Sequence, residues 1–308
     1  MSKIGEHAYS TTEWTGRAGI VKAFNCGPGP LKAAPDDAWR IYRKFMGEFQ
    51  PRDGAEVARE VIADLQGYRH PKLSIELYVG APQDQIAAIC DQIAQALPVC
   101  RAEGVGLAAF SFYTGQPEVG IWQYAANRGW CGLDPARDVV SVQEYTNNGT
   151  VDNPVNVGRF EALITCGWKG GIAVTEAGYD SAGTPNSGWR SALTEDQFYA
   201  YLQDYDALLA RYPQVIGATV FNAPGWPSFE FHDDRKKFSI ITTGDVAMAD
   251  ALEDRVASLE QRDALITQAL HRILTGDYTG ASGAAADVVA LQGGQDDLSG
   301  NVKTPTFA

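Results

Sequence analysis

In the stretch GGIAVTEAGYD, a markedly apolar segment ends at Glu176. An ionised carboxylate costs several kcal/mol to remove from water unless it is paired or takes part in chemistry. Glu76 lies in a second apolar stretch, KLSIELYV. Two carboxylates on either side of a site are the groups that hydrolyse glycosidic bonds, one as acid and base and the other as nucleophile. The two glutamates therefore raise the hypothesis of a site for sugar chemistry.

Other polar and aromatic residues lie at the ends of neighbouring apolar segments. Carboxylates supply acid, base and nucleophile, and aromatic faces stack on pyranose rings. If the segments are parallel strands of one sheet, their ends meet at one rim, and the set resembles a sugar-binding site. The residues that we expect to converge there are Glu76, Tyr78, Gln143, Glu144, Tyr145, Glu176, Asn222 and Trp226.

Short β-branched segments alternate with longer amphipathic segments over most of the chain, which is typical of repeated βα units. Strands are predicted at 3–8, 19–25, 39–45, 72–79, 105–113, 139–145, 171–176 and 215–222. Helices are predicted at 54–67, 83–97, 157–167 and 194–212, the last after a capping box. We therefore predict an α/β fold, a (β/α)8 barrel. An open doubly wound sheet is the competitor, but no glycine-rich nucleotide-binding turn follows any of these strands.

Alternation along the fourth and sixth strands predicts which side chains face the barrel interior. Glu76 and Tyr78 share one face of the fourth strand, opposite its leucines and isoleucine. By the same count Gln143 and Tyr145 face inward from the sixth strand. Glu144 then points away from the interior unless the strand ends or bulges there.

Three short motifs follow one another in a characteristic order: VSVQEY, then AVTEAGYD, then VIGATVFNAPGW. With the Gly188-Trp189 pair before the last, they resemble the retaining glycoside hydrolases of clan A. The likeness is greatest to bacteriophage and bacterial members that read His-Glu-Tyr, Thr-Glu-x-Gly and Gly-Ala-x-x-Phe, and it covers about residues 3–231. The resemblance implies that Glu176 is the nucleophile and that Trp226 flanks the reactive sugar. It implies an oligo- or polysaccharide as partner, and we expect no cofactor and no metal.

The fourth strand departs from the family pattern. Members carry Asn-Glu-Pro there, and that glutamate is the general acid/base, whereas this chain reads ELYVGAP from Glu76 onward. The histidine of the sixth-strand motif is Gln143, a neutral amide in place of a titratable ring. A retaining enzyme then needs a substitute acid, and Glu144 and Glu76 are the candidates.

Two functions remain open. The first is a retaining glycosidase, which requires its two carboxyl groups to lie roughly 5 Å apart. The second is a non-catalytic descendant, a carbohydrate-binding or structural barrel such as a virion or surface-assembly subunit. Arg43 belongs with the predicted substrate-binding residues, but Arg43 or Arg190 could instead pair with Glu176 as a purely structural contact. Phosphate chemistry is disfavoured, because no phosphate-cradling loop follows the seventh or eighth strand.

Composition excludes several classes of partner. The 308-residue chain carries a formal net charge of −13, which argues against a nucleic acid or an anionic membrane surface. We find no apolar run of transmembrane length and expect no export signal, which predicts a cytoplasmic or virion-associated protein. The five cysteines include no Cys-x-x-Cys pair, so we expect reduced thiols rather than a disulfide framework.

The composition changes after Gly244. Four apolar residues then fall seven positions apart: Leu252, Leu259, Ile266 and Ile273. This spacing predicts a coiled coil, with a single amphipathic helix packed on the barrel as the alternative. The predicted domains are a glycoside hydrolase-like barrel at 1–244, a coiled-coil helix at 245–275 and a flexible tail at 276–308. We expect homo-oligomerisation through residues 249–274.

Overall fold

A computed structural model of the chain describes residues 2–8, 19–46, 49–78, 80–222 and 225–230. All of them lie in the first of two compact units, Met1–Gly244. The predicted coiled-coil helix, the oligomerisation segment and the tail lie outside the described residues. Those three features therefore stay predictions.

Eight parallel strands in the described part close into a barrel and follow one another around it in chain order. They are β1 Ile4–Ala8, β2 Ile20–Phe24, β3 Trp39–Arg43, β4 Leu73–Glu76, β5 Gly106–Phe112, β6 Val139–Thr146, β7 Gly171–Tyr179 and β8 Val215–Val220. The first strand pairs with both β2 and β8, which closes the cylinder. The predicted (β/α)8 architecture is confirmed, and each predicted strand overlaps an observed one.

Six α-helices connect these strands within the described ranges. They are α1 Gly29–Ala33, α2 Gly54–Asp64, α3 Ile86–Ala102, α4 Val119–Asn127, α5 Phe160–Thr165 and α6 Glu195–Ala210. Thr194 caps the last helix in the predicted capping box with Gln197. The sequence analysis did not predict α1 or α4. In the part of the chain that the structure describes, no helix has the length and apolarity needed to cross a membrane.

The lower half of the barrel interior is apolar. Its layer consists of Ile20, Ile41, Ala108, Val139 and Ala173, one from each of five strands. Burying each large aliphatic side chain stabilises the fold by about 1.5–3 kcal/mol. The charged side chains of the interior lie above this layer, toward the carboxyl ends of the strands.

A bulge in β7 adds one residue to the upper half of the barrel. Val142 pairs with Val174, but the next residue, Gln143, pairs with Glu176, so Thr175 is the extra residue. The side chains of Thr175 and Glu176 consequently both reach groups in the interior, although they are neighbours in sequence. Strict alternation would have placed them on opposite faces.

A second irregularity lies in β5. Phe110 and Ser111 both have positive φ, 83° and 37°, and both are fully buried. Such a backbone costs about 1–3 kcal/mol per residue unless the surroundings enforce it. The rings of Phe110 and Phe112 pack on Trp122 of α4, with centroids 5.4 and 5.2 Å away. Ser111, between them, is turned into the barrel.

The prediction of five reduced cysteines is wrong for one pair. Cys90 of α3 and Cys131 form a disulfide, with their Cα atoms 5.3 Å apart. The other three, Cys26, Cys100 and Cys166, are free. The paired cysteines are 41 positions apart in sequence, and only the packing of the turn after α4 against α3 brings them together.

Candidate active site

Four charged side chains meet inside the upper barrel: Lys22 of β2, Arg43 of β3, Glu76 of β4 and Glu176 of β7. Lys22 Nζ lies 2.8 Å from Glu76 Oε2 and 3.2 Å from Glu176 Oε1. Arg43 Nη1 lies 3.6 and 2.7 Å from the same two oxygens. Two cations therefore balance two carboxylates in a buried ion cluster. Burial and the neighbouring guanidinium lower the pKa of Lys22, and the carboxylates oppose this effect.

Glu76 forms the sealed floor of this cluster. Its side chain is fully buried, and its Oε1 accepts hydrogen bonds from Thr175 Oγ1 at 2.7 Å and from the Ser111 hydroxyl. The structure thus does not bring this predicted substrate-binding residue into contact with solvent. Sequence alternation predicted the face on which Glu76 lies but not its depth below the rim.

Glu176 is the most exposed member of the cluster, with 8% of its side chain exposed against 5% for Arg43. Its Oε1 pairs with Arg43 and Lys22, and its Oε2 accepts a hydrogen bond from the Tyr145 hydroxyl at 3.1 Å. Burial acts to raise the pKa of Glu176, but the two cations outweigh it and hold the pKa below its usual value. The carboxylate is therefore ionised at neutral pH and fixed in orientation.

The two glutamates lie close together. Oxygens that are 2.8 and 3.2 Å from the same Lys22 nitrogen can be separated by at most about 6 Å. Retaining glycosidases hold their two carboxyl groups about 5–5.5 Å apart. The upper limit for Glu76 and Glu176 does not conflict with this separation, but the sealed position of Glu76 keeps its carboxylate from a bound sugar.

An open cleft of about 500 Å³ lies directly above Glu176. Its walls combine amide, aromatic and carboxylate side chains from the ends of β5 to β8 and the loops that follow. They are lined by Tyr113, Thr114, Gln143, Tyr145, Asn147, Asn156, Glu176, Asp180, Ser181, Ala182, Gly183, Phe221, Trp226 and Phe229. A concave site with one buried carboxylate at its floor is suited to binding a small polar molecule.

The walls of the cleft differ in chemistry. Phe221, Trp226 and Phe229 form an aromatic cluster with centroids 5.3–5.8 Å apart. Gln143, paired in register with Glu176, is only 5% exposed, and its Nε2 has no hydrogen-bond partner among the described residues. A buried donor of this kind is costly unless a ligand or water accepts from it. The cleft therefore offers both a stacking surface and an unfilled hydrogen-bond donor.

Of the residues predicted for the site, the structure brings Glu176, Gln143, Tyr145 and Trp226 to the cleft. Arg43 contacts Glu176 from below and lies under the cleft rather than in its wall.

Glu144 lies on the outer face of β6, away from the cleft. Its carboxylate is fully buried and accepts hydrogen bonds from the backbone N–H groups of Gly158 and Phe160 and from the Tyr205 hydroxyl, at 3.0, 3.3 and 2.7 Å. Burial raises the pKa of Glu144 to about 7. The bulge lies in β7 rather than β6, so alternation holds at Glu144, and the predicted substitute acid anchors a loop instead.

Tyr78 and Asn222 also lie outside the cleft wall. Tyr78 packs its ring on Phe49, with centroids 4.9 Å apart, in a small cavity beside α2. The reason is that β4 ends at Glu76, so alternation does not continue to Tyr78. Asn222 is buried just beyond β8.

The region where the resemblance expects the general acid reads Gly80-Ala81-Pro82, so a fully buried alanine stands where Asn-Glu-Pro has its glutamate. Gly80 has φ +63°, and a Cβ built there would lie 2.2 Å from the ring of Tyr113. Tyr113 therefore covers the backbone at this point and occupies the space that a side chain at position 80 would need. No acid can project into the cleft from Gly80.

Sequence reasoning missed Lys22, Ser111 and Thr175. Only Lys22 carried a signal, a lysine in the middle of the apolar strand IVKAF. A buried lysine is rare unless it is paired, and the structure supplies both carboxylates and the Thr175 carbonyl at 3.1 Å. Tyr113 and Asp180, also missed, line the cleft from loops whose course the sequence does not give. No group of three or more metal-binding side chains occurs within the described ranges.

No protein-family model and no curated protein sequence matches the chain significantly. Solved structures do resemble it. One is a GH128 (subgroup II) endo-β-1,3-glucanase from Sorangium cellulosum, with a TM-score of 0.50 and 15% identity over 78% of this chain and 98% of that one. Another is a mutant GH128 (subgroup I) endo-β-1,3-glucanase from Amycolatopsis mediterranei in complex with laminarihexaose, with a TM-score of 0.49 and 13% identity over 72% and 88%.

A third is an endo-β-1,4-glucanase from Xanthomonas axonopodis pv. citri, with a TM-score of 0.46 and 12% identity over 79% of this chain and 98% of that chain. All three are glycoside hydrolases. The chain therefore shares the (β/α)8 barrel fold of the Sorangium cellulosum glucanase. At these identities the likeness extends to the fold and no further.

Proposed function

We propose that the chain is a glycoside hydrolase-like protein that binds an oligo- or polysaccharide in the cleft, with Glu176 as the nucleophile of a retaining hydrolysis. The observation that carries the proposal is the state of this one carboxylate. It lies at the floor of an aromatic and amide-lined cleft, and Arg43, Lys22 and Tyr145 keep it ionised and oriented.

In this mechanism Glu176 attacks the anomeric carbon of a sugar bound above it, and the bond to the leaving oxygen breaks. Trp226 stacks on a pyranose ring and Gln143 Nε2 donates to a sugar hydroxyl, which fixes the anomeric carbon over the carboxylate. Water then cleaves the glycosyl–Glu176 ester and restores the carboxylate. The leaving oxygen takes up a proton from solvent water, and a positioned acid would speed this step by about 10²–10⁴.

A second candidate, sugar binding without hydrolysis, is favoured by the arrangement around the expected acid. Glu76 is sealed beneath the cleft, and Gly80 is covered by Tyr113. Asp180 lines the cleft, but its Oδ1 accepts from two backbone N–H groups and from Ser187 Oγ within its own loop. A protein of this kind would keep the binding surface and lack the proton donor.

The two candidates are separated by testing the wild type and Glu176→Gln on neutral oligosaccharides and on aryl glycosides. Aryl glycosides with acidic phenol leaving groups need little help from a general acid, so a nucleophile alone can cleave them. We expect hydrolysis with retention of configuration, observed by NMR of the first-formed anomer, and its loss in Glu176→Gln. The control is Glu103→Gln, which changes a surface glutamate that does not line the cleft.

Saturable binding with no turnover of any substrate would favour the second candidate. An absence of both binding and turnover in the wild type would refute both. Inversion of configuration, or undiminished hydrolysis by Glu176→Gln, would remove Glu176 as nucleophile.

The remaining predictions about assembly are also proposals. We infer homo-oligomerisation through residues 249–274, which would raise the avidity of weak sugar contacts in a cytoplasmic or virion-associated assembly. Light scattering on the full chain tests it. A monomer, or an oligomer unaffected by charged substitutions at Leu259 and Ile266, would contradict it.

A further inference from the structure

A band of contacting aromatic rings leads from the cleft to the end of β3 and passes beneath the surface at His7, which is fully buried. Successive rings of Trp226, Phe221, His7, Phe24 and Phe45 have centroids 5.8, 5.4, 5.6 and 5.9 Å apart. The first two rings line the cleft. The band therefore leads from the cleft wall to a second position on the rim.

Phe45 is the outer end of this band and is 59% exposed. It follows β3 by two residues, so it lies at the same end of the barrel as the cleft. Its backbone N–H donates to Asn25 Oδ1 at 3.3 Å, which ties the segment to the end of β2. A large apolar ring held in solvent at this end of the barrel has no role in the core.

Phe45 is also joined to the candidate nucleophile through two intervening residues, Phe24 and Arg43. The Arg43 guanidinium lies over the ring of Phe24, 4.4 Å from its centroid, and also pairs with Glu176. Because the Phe24 and Phe45 centroids are 5.9 Å apart, Phe45 lies within about 10 Å of the Arg43 guanidinium carbon. This is beyond the cleft but within reach of further sugar units of one chain.

We propose that Phe45 is the stacking platform of a distal sugar subsite, so that the protein binds a linear oligosaccharide longer than the cleft. The inference rests on the proposed function. Aromatic faces bind the apolar face of a pyranose ring and impose little side-chain ordering cost. The ligand is neutral, because the described cleft lining contains two carboxylates, Glu176 and Asp180, and no lysine, arginine or histidine.

The test compares Phe45→Ala with the wild type on a trisaccharide and a hexasaccharide of the same linkage, in both β-1,3- and β-1,4-linked glucose series. The measured quantity is Kd by calorimetry, or kcat/KM where hydrolysis occurs. We expect Phe45→Ala to weaken the hexasaccharide by about threefold to tenfold and to leave the trisaccharide unchanged. Phe45→Trp should restore the preference for the longer ligand.

The matched control is Tyr124→Ala, which removes another exposed aromatic side chain, on α4. It should change neither ligand, and circular dichroism should show that all variants fold. An equal loss on both lengths would mean that Phe45 acts through Arg43 and Glu176, and would overturn the subsite. So would an unchanged hexasaccharide.

The failure of this inference is distinguishable from failure of the proposed function. A wild type that binds both lengths equally refutes the distal subsite alone. A wild type that binds neither length, with no effect of Glu176→Gln in any assay, refutes the proposed function and the subsite with it. A preference for a matched polyuronate over the neutral series would overturn the assignment of a neutral ligand.

Discussion

Lys22→Met tests whether the ion cluster is held by charge balance. Lys22 Nζ contacts both carboxylates, at 2.8 and 3.2 Å, and its side chain is fully buried. In the variant Arg43 is the one cation left between Glu76 and Glu176, so one buried negative charge loses its compensation. Removing one partner of a buried pair costs about 3–5 kcal/mol. That is a large share of the 5–15 kcal/mol by which domains are typically stable, so we expect a large drop in the free energy of unfolding.

The loss should depend on pH. With one cation between two carboxylates, the folded state raises a carboxyl pKa above its unfolded value, and stability then falls as pH rises through that interval. Lys22→Met should therefore be more destabilised at pH 7 than at pH 5, by about 1 kcal/mol or more. Urea unfolding at both pH values, followed by circular dichroism, measures the difference.

Two further variants make the test specific. Lys22→Met combined with Glu76→Gln removes one charge of each sign, so it should cost less than the sum of the two single changes by at least about 1 kcal/mol. Lys44→Met breaks the partly exposed pair with Asp64, 3.5 Å apart, and should cost less than about 1 kcal/mol. Additive costs in the double variant, together with a pH-independent loss in Lys22→Met, would refute the charge-balance reasoning.

Three other predictions follow from single contacts. Tyr145→Phe removes a hydrogen bond to ionised Glu176, so the pKa of Glu176 should rise. The acidic limb of the pH profile for binding or hydrolysis should then move up by about one pH unit. An unmoved limb contradicts this prediction. The folded pKa of Glu144, about 7, lies above its unfolded value, so wild-type stability falls between about pH 4.5 and 7 from this group. Glu144→Gln should lack that fall in urea unfolding. Gly80→Ala places a Cβ against Tyr113 and should cost about 1–3 kcal/mol and weaken sugar binding, measured on the same samples.

Much of the fold was predictable because it depends on repetition. Eight strand-like segments that alternate with helical or loop segments predict a barrel even where each boundary is off by a few residues. Helix α1 is little more than one turn long, and the apolar residues of α4 are partly exposed and partly buried, so neither helix shows a clear amphipathic period. The Cys90–Cys131 disulfide was not predictable either, because the two residues meet only through tertiary packing.

The site was predictable at its rim and not beneath it. The motif around Glu176, the inward face of Gln143 and Tyr145, and the aromatic loop at Trp226 can all be read from sequence order and alternation. The depth of Glu76 cannot, because alternation gives a face and no height. The inward turns at Ser111 and Thr175 cannot, because a bulge breaks the two-residue period on which the reading depends.

The bulge in β7 also places a backbone carbonyl, that of Thr175, among the groups of the ion cluster. The Thr175 carbonyl accepts hydrogen bonds from Lys22 Nζ at 3.1 Å and from Thr219 Oγ1 at 2.7 Å. A carbonyl is common to every residue type, so replacing Thr175 by another amino acid leaves this acceptor in the chain. Substitution scanning therefore does not test the carbonyl acceptor. Deletion of one residue from the strand would remove it. In an alignment of this barrel, a one-residue gap in β7 would mark the loss of this acceptor, which residue identities do not show.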